Sequence, residues 1–206
     1  MRIDSTQQGT AKMETFKINN ETIAARSLTA AKMAYNQLTS HEAVKLKPES
    51  NRLLEKWCLD NLPTIQPLPV YNPPMRQVIQ EREYGVVHVF KGGANYQNTI
   101  FDSHHTIHCY RAWHDTLHIK HDLPFGGDSE FLLAAIQETE ALEMGICPRD
   151  AFLIKVDLIC HIEHYNRHKR HPEYQARLIL NYLNNGKKAF KTDYSEGVGY
   201  EKVQNL

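Results

Sequence analysis

From about residue 98 to residue 186 the chain is a series of helix-length segments separated by breakers, and this constrains its fold more than any other feature. The first segment runs to about Lys120 and is stopped by LPFGGD. The second, SEFLLAAIQETEALEM, can be capped by Asp128 or Ser129 and ends at Gly145. Pro148 opens a third through Arg167 or beyond, and Pro172 restarts a fourth, EYQARLILNYLNN, with Gly186 placed as its C-cap. Proline suits a first helical turn and glycine the residue after the last, so these positions are punctuation. Upstream, Ile23, Leu28, Ala31, Tyr35 and Leu38 have helical spacing, which predicts a helix from Glu21 to about Lys45. Pro48 then starts ESNRLLEKWCLDN.

Five of the nine prolines follow, at 63, 67, 69, 73 and 74, and predict an extended connector, because proline lacks a donor and disfavours helix before it. GVVHVF at 85–90 has the pattern of a short strand closed by the turn-like KGGAN. The expected fold is therefore mostly α, a helical bundle with at most a small β-hairpin. Along the chain this gives a flexible N-terminal arm (1–18), N-terminal helices (19–62), a Pro-rich connector (63–84), a helical core (85–186) and a polar C-terminal tail (187–206).

Composition narrows the function classes. Lys+Arg and Asp+Glu both number 24, so no global field draws the chain to nucleic acid or anionic lipid. A local basic patch from RHKRH with Lys187, Lys188 and Lys191 is the remaining nucleic-acid reading. No window has the ~18–20 uncharged apolar residues of a membrane span, and the N-terminus lacks a signal-peptide core, so a cytoplasmic setting is expected. Four cysteines at 58, 109, 147 and 160 form no CxxC pair. This argues against a zinc ribbon, a redox dithiol or a disulfide framework.

Histidine is the unusual residue. Of twelve, six lie in 104–121 and four in 161–171. On a helical wheel His114 falls at the edge of the apolar face made by Ile107, Tyr110, Trp113 and Leu117, with Asp115 and His118 beside it in about 100° of arc. Residues four apart on a helix stand one above the other, so two imidazoles can reach one ion. Glu138 falls in the apolar stripe Phe131, Ala135 and Leu142, where a carboxylate needs a cation, a hydrogen bond or a raised pKa. Asp157, His161, His164 and His168 repeat the i, i+4, i+7, i+11 series. The apolar start AFLIKVDLIC predicts a buried central helix, and HIEHYNRHKRH a solvated basic end. On this reading the metal belongs to the first histidine group. His164, His168 and His171 are exposed, and only His161 stands near the site.

His114-Asp115-Thr116-Leu117-His118 followed after eleven residues by Glu130 is the pattern HDxxH-x11-E. With Tyr110-Arg111 before it, Pro124 in the loop and EFLLAAIQE after it, ending at Glu138, this segment resembles the metal-ligand motif of the coenzyme Q biosynthesis protein 4 family. Ser129 stands where that family has Gly, and the family's Lys in the following helix is missing. The resemblance implies an all-helical fold with one divalent metal on His114, Asp115, His118 and Glu130, and a quinone-like or aromatic small-molecule substrate. Two imidazoles and two carboxylates suit Zn²⁺, Fe²⁺ or Mn²⁺ without selecting among them. Glu138, Asp157 and His161 are the acid–base candidates beside that metal. The expected protein is a metal-dependent lyase, oxygenase or hydrolase. Two alternatives compete with it: a non-catalytic protein using the cluster as a structural staple, and an HD-type phosphohydrolase that recruits Asp157 and an upstream histidine such as His88.

Overall fold

The computed structural model describes residues 14–18, 21–25, 29, 32, 44–69, 73–91 and 95–195. Six α-helices dominate these residues, in agreement with the mostly α expectation. They are α1 (Pro48–Asn61), α2 (Met75–Glu83), α3 (His104–Lys120), α4 (Asp128–Glu143), α5 (Pro148–His168) and α6 (Gln175–Asn185). The breakers act as the sequence predicts. Pro48 and Pro148 occupy first turns, Gly145 and Gly186 adopt φ of 90° and 58°, and Ser103 caps α3 by accepting from the Thr106 amide.

Helix α5 is the hub. Ala151, Phe152, Leu153, Ile154 and Val156 are buried all round, as its apolar first half requires. Each large apolar side chain so enclosed contributes roughly 1.5–3 kcal/mol. Its first turn also fixes the entry to α1: Asp150 Oδ2 accepts from the Lys47 amide at 2.8 Å, and Arg149 donates to the Lys45 carbonyl at 2.6 Å. Trp113 of α3 is wholly buried in the same core, its indole N–H donating to Glu140 of α4 at 3.3 Å.

Four expectations need correction. Residues Glu14–Ile18 (β1) and Glu21–Ala25 (β2) pair as antiparallel strands, where an arm and a helix start were expected. Phe16, Lys17 and Ile18 alternate apolar and polar, and Thr22 and Ile23 are β-branched. Ile23 and Ala25 are buried in the core shared with the later helices, and that burial outweighs the helical spacing of the longer window. Of the rest of that expected helix, Thr29 and Lys32 are helical, whereas 26–28, 30–31 and 33–43 lie outside the described residues.

The Pro-rich connector is partly ordered. Thr64–Leu68 (β3) is extended as predicted, but Met75–Glu83 forms α2, because MRQVIQERE contains neither Pro nor Gly and follows Pro74 at the N-cap. The segment Val86–Phe90 (β4) is a strand, yet it closes no hairpin with KGGAN; it pairs in parallel with β3 across α2. Pro67 is tolerated because β3 has a single neighbour.

The polar tail is also ordered as far as residue 195. Gly186–Lys191 is a 3₁₀ turn, and Ala189, Phe190 and Tyr194 are buried. Residues 196–206 lie outside the described residues. Among the described residues no helix is long and apolar enough to cross a membrane.

Candidate metal centre

The turn between α3 and α4 builds the site. Leu123 donates its amide to the His118 carbonyl at 2.9 Å, and Gly126 and Gly127 take φ of 84° and 65°, a region open to glycine at little cost. The chain thereby reverses within a few residues and brings the first turn of α4 back over the last turn of α3. Ser129 Oγ ties the turn by donating to the Pro124 carbonyl at 2.7 Å. Glu130 is aimed by the Gly126 amide, which donates to its Oε1 at 2.8 Å.

Three donors meet there. Nε2 of His118 lies 3.1 Å from Nε2 of His114 and 3.3 Å from Glu130 Oε1, and His114 Nε2 lies 3.4 Å from Glu130 Oε2. Around a tetrahedral ion with bonds of about 2.0–2.1 Å, neighbouring donors stand about 3.3 Å apart. The two nitrogens stand about one such separation apart, and each faces a different oxygen of the Glu130 carboxylate, which spans the pair. His118 is fully buried, and the side chains of His114 and Glu130 are 17% and 13% exposed.

The protonation pattern follows from the partners. His118 Nδ1 faces the Leu123 carbonyl at 3.1 Å, and His114 Nδ1 faces Gln137 Oε1 at 3.5 Å. A carbonyl oxygen only accepts, so each Nδ1 carries the hydrogen and each Nε2 presents a lone pair. Two lone pairs and a carboxylate therefore converge, a donor set that fits a divalent cation. Burial depresses His114 to about 4, against the opposing charge of Glu130, which keeps the imidazole neutral. Burial pushes Glu130 up, but the facing imidazoles of His118 and His114 and the Gly126 amide outweigh it and hold the carboxyl below its ordinary value.

The remaining expected residues divide into neighbours and bystanders. Asp115 is not one of the three donors that meet, but it borders them. Burial raises its carboxyl to about 7 while His118 and Arg111 pull it down and Glu130 pushes it up. Asp157 is buried on α5, raised to about 7 by desolvation against the pull of Arg111, and its Oδ1 has no hydrogen-bond partner among the described residues. His161 is depressed to about 3 by burial and by the charges of His171, Arg111, His164 and His114, and its Nε2 lies 2.6 Å from His171 Nδ1. Glu138 is buried as its stripe demands, with its carboxylate on Lys155 Nζ at 2.7 Å. His88 lies on β4, 3.0 Å from Glu81 of α2 and 3.2 Å from Gln66 of β3.

The second histidine group departs from its expected exposure. His164 is fully buried, its Nδ1 donating to the Arg170 carbonyl at 3.0 Å and its Nε2 accepting from the Tyr194 amide at 2.8 Å. His168 Nε2 donates to the Phe190 carbonyl at 3.0 Å. These rings serve the backbone of residues 170–194, which needs partners where it folds back on α5. His171 remains exposed and stacks on Tyr165 at 4.8 Å between centroids.

Sequence reasoning did not single out Gln137 or give Tyr110 a role of its own. Their spacing carried the signal: Gln137 is i+7 from Glu130, and Tyr110 is i−4 from His114, each on the face of a ligand. Comparison with family models, curated proteins and solved structures finds no match to this chain.

Proposed function

We propose that this protein is a divalent-metal-dependent enzyme acting on a small molecule, with the ion held by His114, His118 and Glu130 and with Asp115 beside it. The observation that carries this reading is the convergence of two Nε2 lone pairs, 3.1 Å apart, on the two oxygens of one carboxylate at 3.3 and 3.4 Å. Three protein donors is the count of sites that keep a position for water or substrate. Zn²⁺, Fe²⁺ and Mn²⁺ all suit this set. When bound, such an ion polarises a ligand oxygen or makes a nucleophile of water.

The protein's own residues prepare the surroundings. The Leu123 carbonyl and Gln137 hold the two rings in orientation, and His118 is shielded from solvent by Phe125, whose ring stands edge-on at 4.6 Å. Asp115, raised to about 7, is placed to take or give a proton near neutral pH. The HDxxH-x11-E resemblance favours an aromatic or quinone-like substrate. Four free thiols accord with a cytoplasmic setting.

A structural staple is the second reading. All three donors lie between residues 114 and 130, so an ion would also pin the α3–α4 turn. Cobalt substitution of untagged protein separates the two. A four-coordinate Co²⁺ spectrum that shifts on adding azide supports an exchangeable position and the enzyme. An unresponsive spectrum supports the staple, and failure to bind Co²⁺ or Zn²⁺ overturns both.

A further inference from the structure

Behind His114, three buried polar atoms have no hydrogen-bond partner among the described residues: the Tyr110 hydroxyl, Nε2 of Gln137 and Oδ1 of Asp157. The three residues are 9%, 0% and 5% exposed. They come from α3, α4 and α5. Tyr110 stands one turn before His114 on α3, with its ring centroid 6.4 Å from the imidazole. Gln137 of α4 already touches His114 through Oε1. The Tyr110 hydroxyl is raised by burial and by the charges of Asp157 and Glu130, and lowered by the Gln137 amide. Unpaired polar atoms in the interior are uncommon and call for an explanation.

We propose that these atoms are successive links of one hydrogen-bond chain and that Gln137, Tyr110 and Asp157 are positioning residues for His114 as a metal ligand. The links run from His114 Nδ1–H to Gln137 Oε1, from Gln137 Nε2–H to the Tyr110 oxygen, and from the Tyr110 O–H to Asp157 Oδ1. Every link joins one donor to one acceptor, and the three orphaned atoms are the ones it satisfies. The direction is set from both ends. Gln137 Nε2 can only donate, so the tyrosine oxygen accepts from it and the tyrosine hydrogen is left to point towards Asp157 Oδ1. The carboxamide then has its carbonyl towards His114, which demands hydrogen on Nδ1 and leaves Nε2 bare.

A reversed carboxamide would place N–H groups against Nδ1 and select the other tautomer, with Nε2–H aimed at His118. The chain therefore selects the tautomer that binds a cation. The inference rests on the metal reading above, and the arrangement needs no additional cavity, only a closer approach of groups already adjacent.

The test uses the untagged full-length protein and Zn²⁺ as the probe, with affinity read by chelator competition. Gln137→Met keeps the volume and removes the hydrogen bonds, and is expected to weaken Zn²⁺ binding about 10- to 100-fold, the usual effect of losing a group that orients a ligand. Gln137→Glu is expected to restore it, because a carboxylate accepts from Nδ1–H. Tyr110→Phe should weaken binding about fivefold, and should add little to Gln137→Met, whose chain is already broken. In metal-free protein, ¹⁵N spectra should show His114 as the Nδ1–H tautomer in the wild type and a mixture of tautomers in Gln137→Met. Binding within twofold of wild type in a folded Gln137→Met, or a Gln137→Glu as weak as Gln137→Met, overturns the proposal. Should Gln137→Met fail to fold, Tyr110→Phe decides, since it deletes only a hydroxyl. Wild-type protein that binds no Zn²⁺ overturns the metal reading, and the tautomer spectra then test the chain by themselves.

Discussion

Lys155 Nζ lies 2.7 Å from Glu138 Oε2, joining α5 to α4 through an ion pair whose side chains are 7% and 3% exposed. The ammonium also stands 4.8 Å from the centre of the Phe152 ring. This relationship gives the acid in the α4 stripe a structural task and changes what its removal should do. Glu138→Leu leaves a buried ammonium without its carboxylate and is expected to cost about 3–5 kcal/mol in chemical denaturation. The double variant Glu138→Leu, Lys155→Met should recover most of that loss, and metal content should stay at the wild-type level in both. Loss of metal with stability unchanged would assign Glu138 to the site instead.

Untagged protein should carry about one divalent ion per chain by elemental analysis. His118→Ala and His114→Ala should each abolish binding, because two remaining donors cannot complete the set that three now form. Glu130→Gln keeps the shape and removes the charge, and should weaken binding by at least about tenfold. Metal content unaffected by all three substitutions would show that the ion binds elsewhere.

Stability of the metal-free protein should rise with pH between about 4 and 6.5. His114 and His161, depressed to about 4 and 3, refuse protons that the unfolded chain binds, so their contribution is lost as pH falls through that window. Asp115 and Asp157, raised to about 7, keep protons that the unfolded chain releases above its ordinary carboxyl pKa, so their contribution is lost as pH rises. Burial lowers His108, His164 and His171 as well, so the first slope outweighs the second. Asp157→Asn removes one opposing slope, and its stability relative to wild type should rise by about 1.4 kcal/mol per pH unit across the window. Urea unfolding at pH 4.5, 5.5 and 6.5 measures this, and a variant with the wild-type pH slope would contradict it.

His164 should matter for folding and not for metal. Replacing it with Ala strands the Tyr194 amide and the Arg170 carbonyl, at a cost of about 1–3 kcal/mol. Hydrogen exchange should show the first loosening in residues 186–195. Replacing His164, His168 and His171 together by Gln should leave metal content unchanged, whereas loss of the ion in that variant would move the site to α5.

Much of this protein was legible along the chain, because the deciding physics is local. Pro48, Pro148, Gly145 and Gly186 mark helix ends through constraints of one or two residues. The placement of Asp115 and His118 beside His114 follows from 3.6 residues per turn, and the apolar first half of α5 announces its central position. The eleven-residue gap to Glu130 pointed to a return across the turn through likeness of pattern, and Gly126 and Gly127 make that return possible.

What the chain did not reveal is the choice of partners between elements. Helical spacing in Glu21–Lys45 concealed β2, whose burial against α5 depends on where that helix lies. Glu138 needed a cation, and only the packing of α4 on α5 selected Lys155. His164 and His168 looked like a solvated basic end until residues 186–195 folded back and required their hydrogen bonds. Gln137 and Tyr110 are polar groups on predictable faces, but their relation to His114 exists only where three helices meet. The sequence determined where helices begin, end and turn their apolar faces, because those preferences are settled within a turn or two of chain. Tertiary structure alone decided which buried polar groups pair, because a hydrogen bond or ion pair is set by distances of a few tenths of an ångström between segments far apart in sequence.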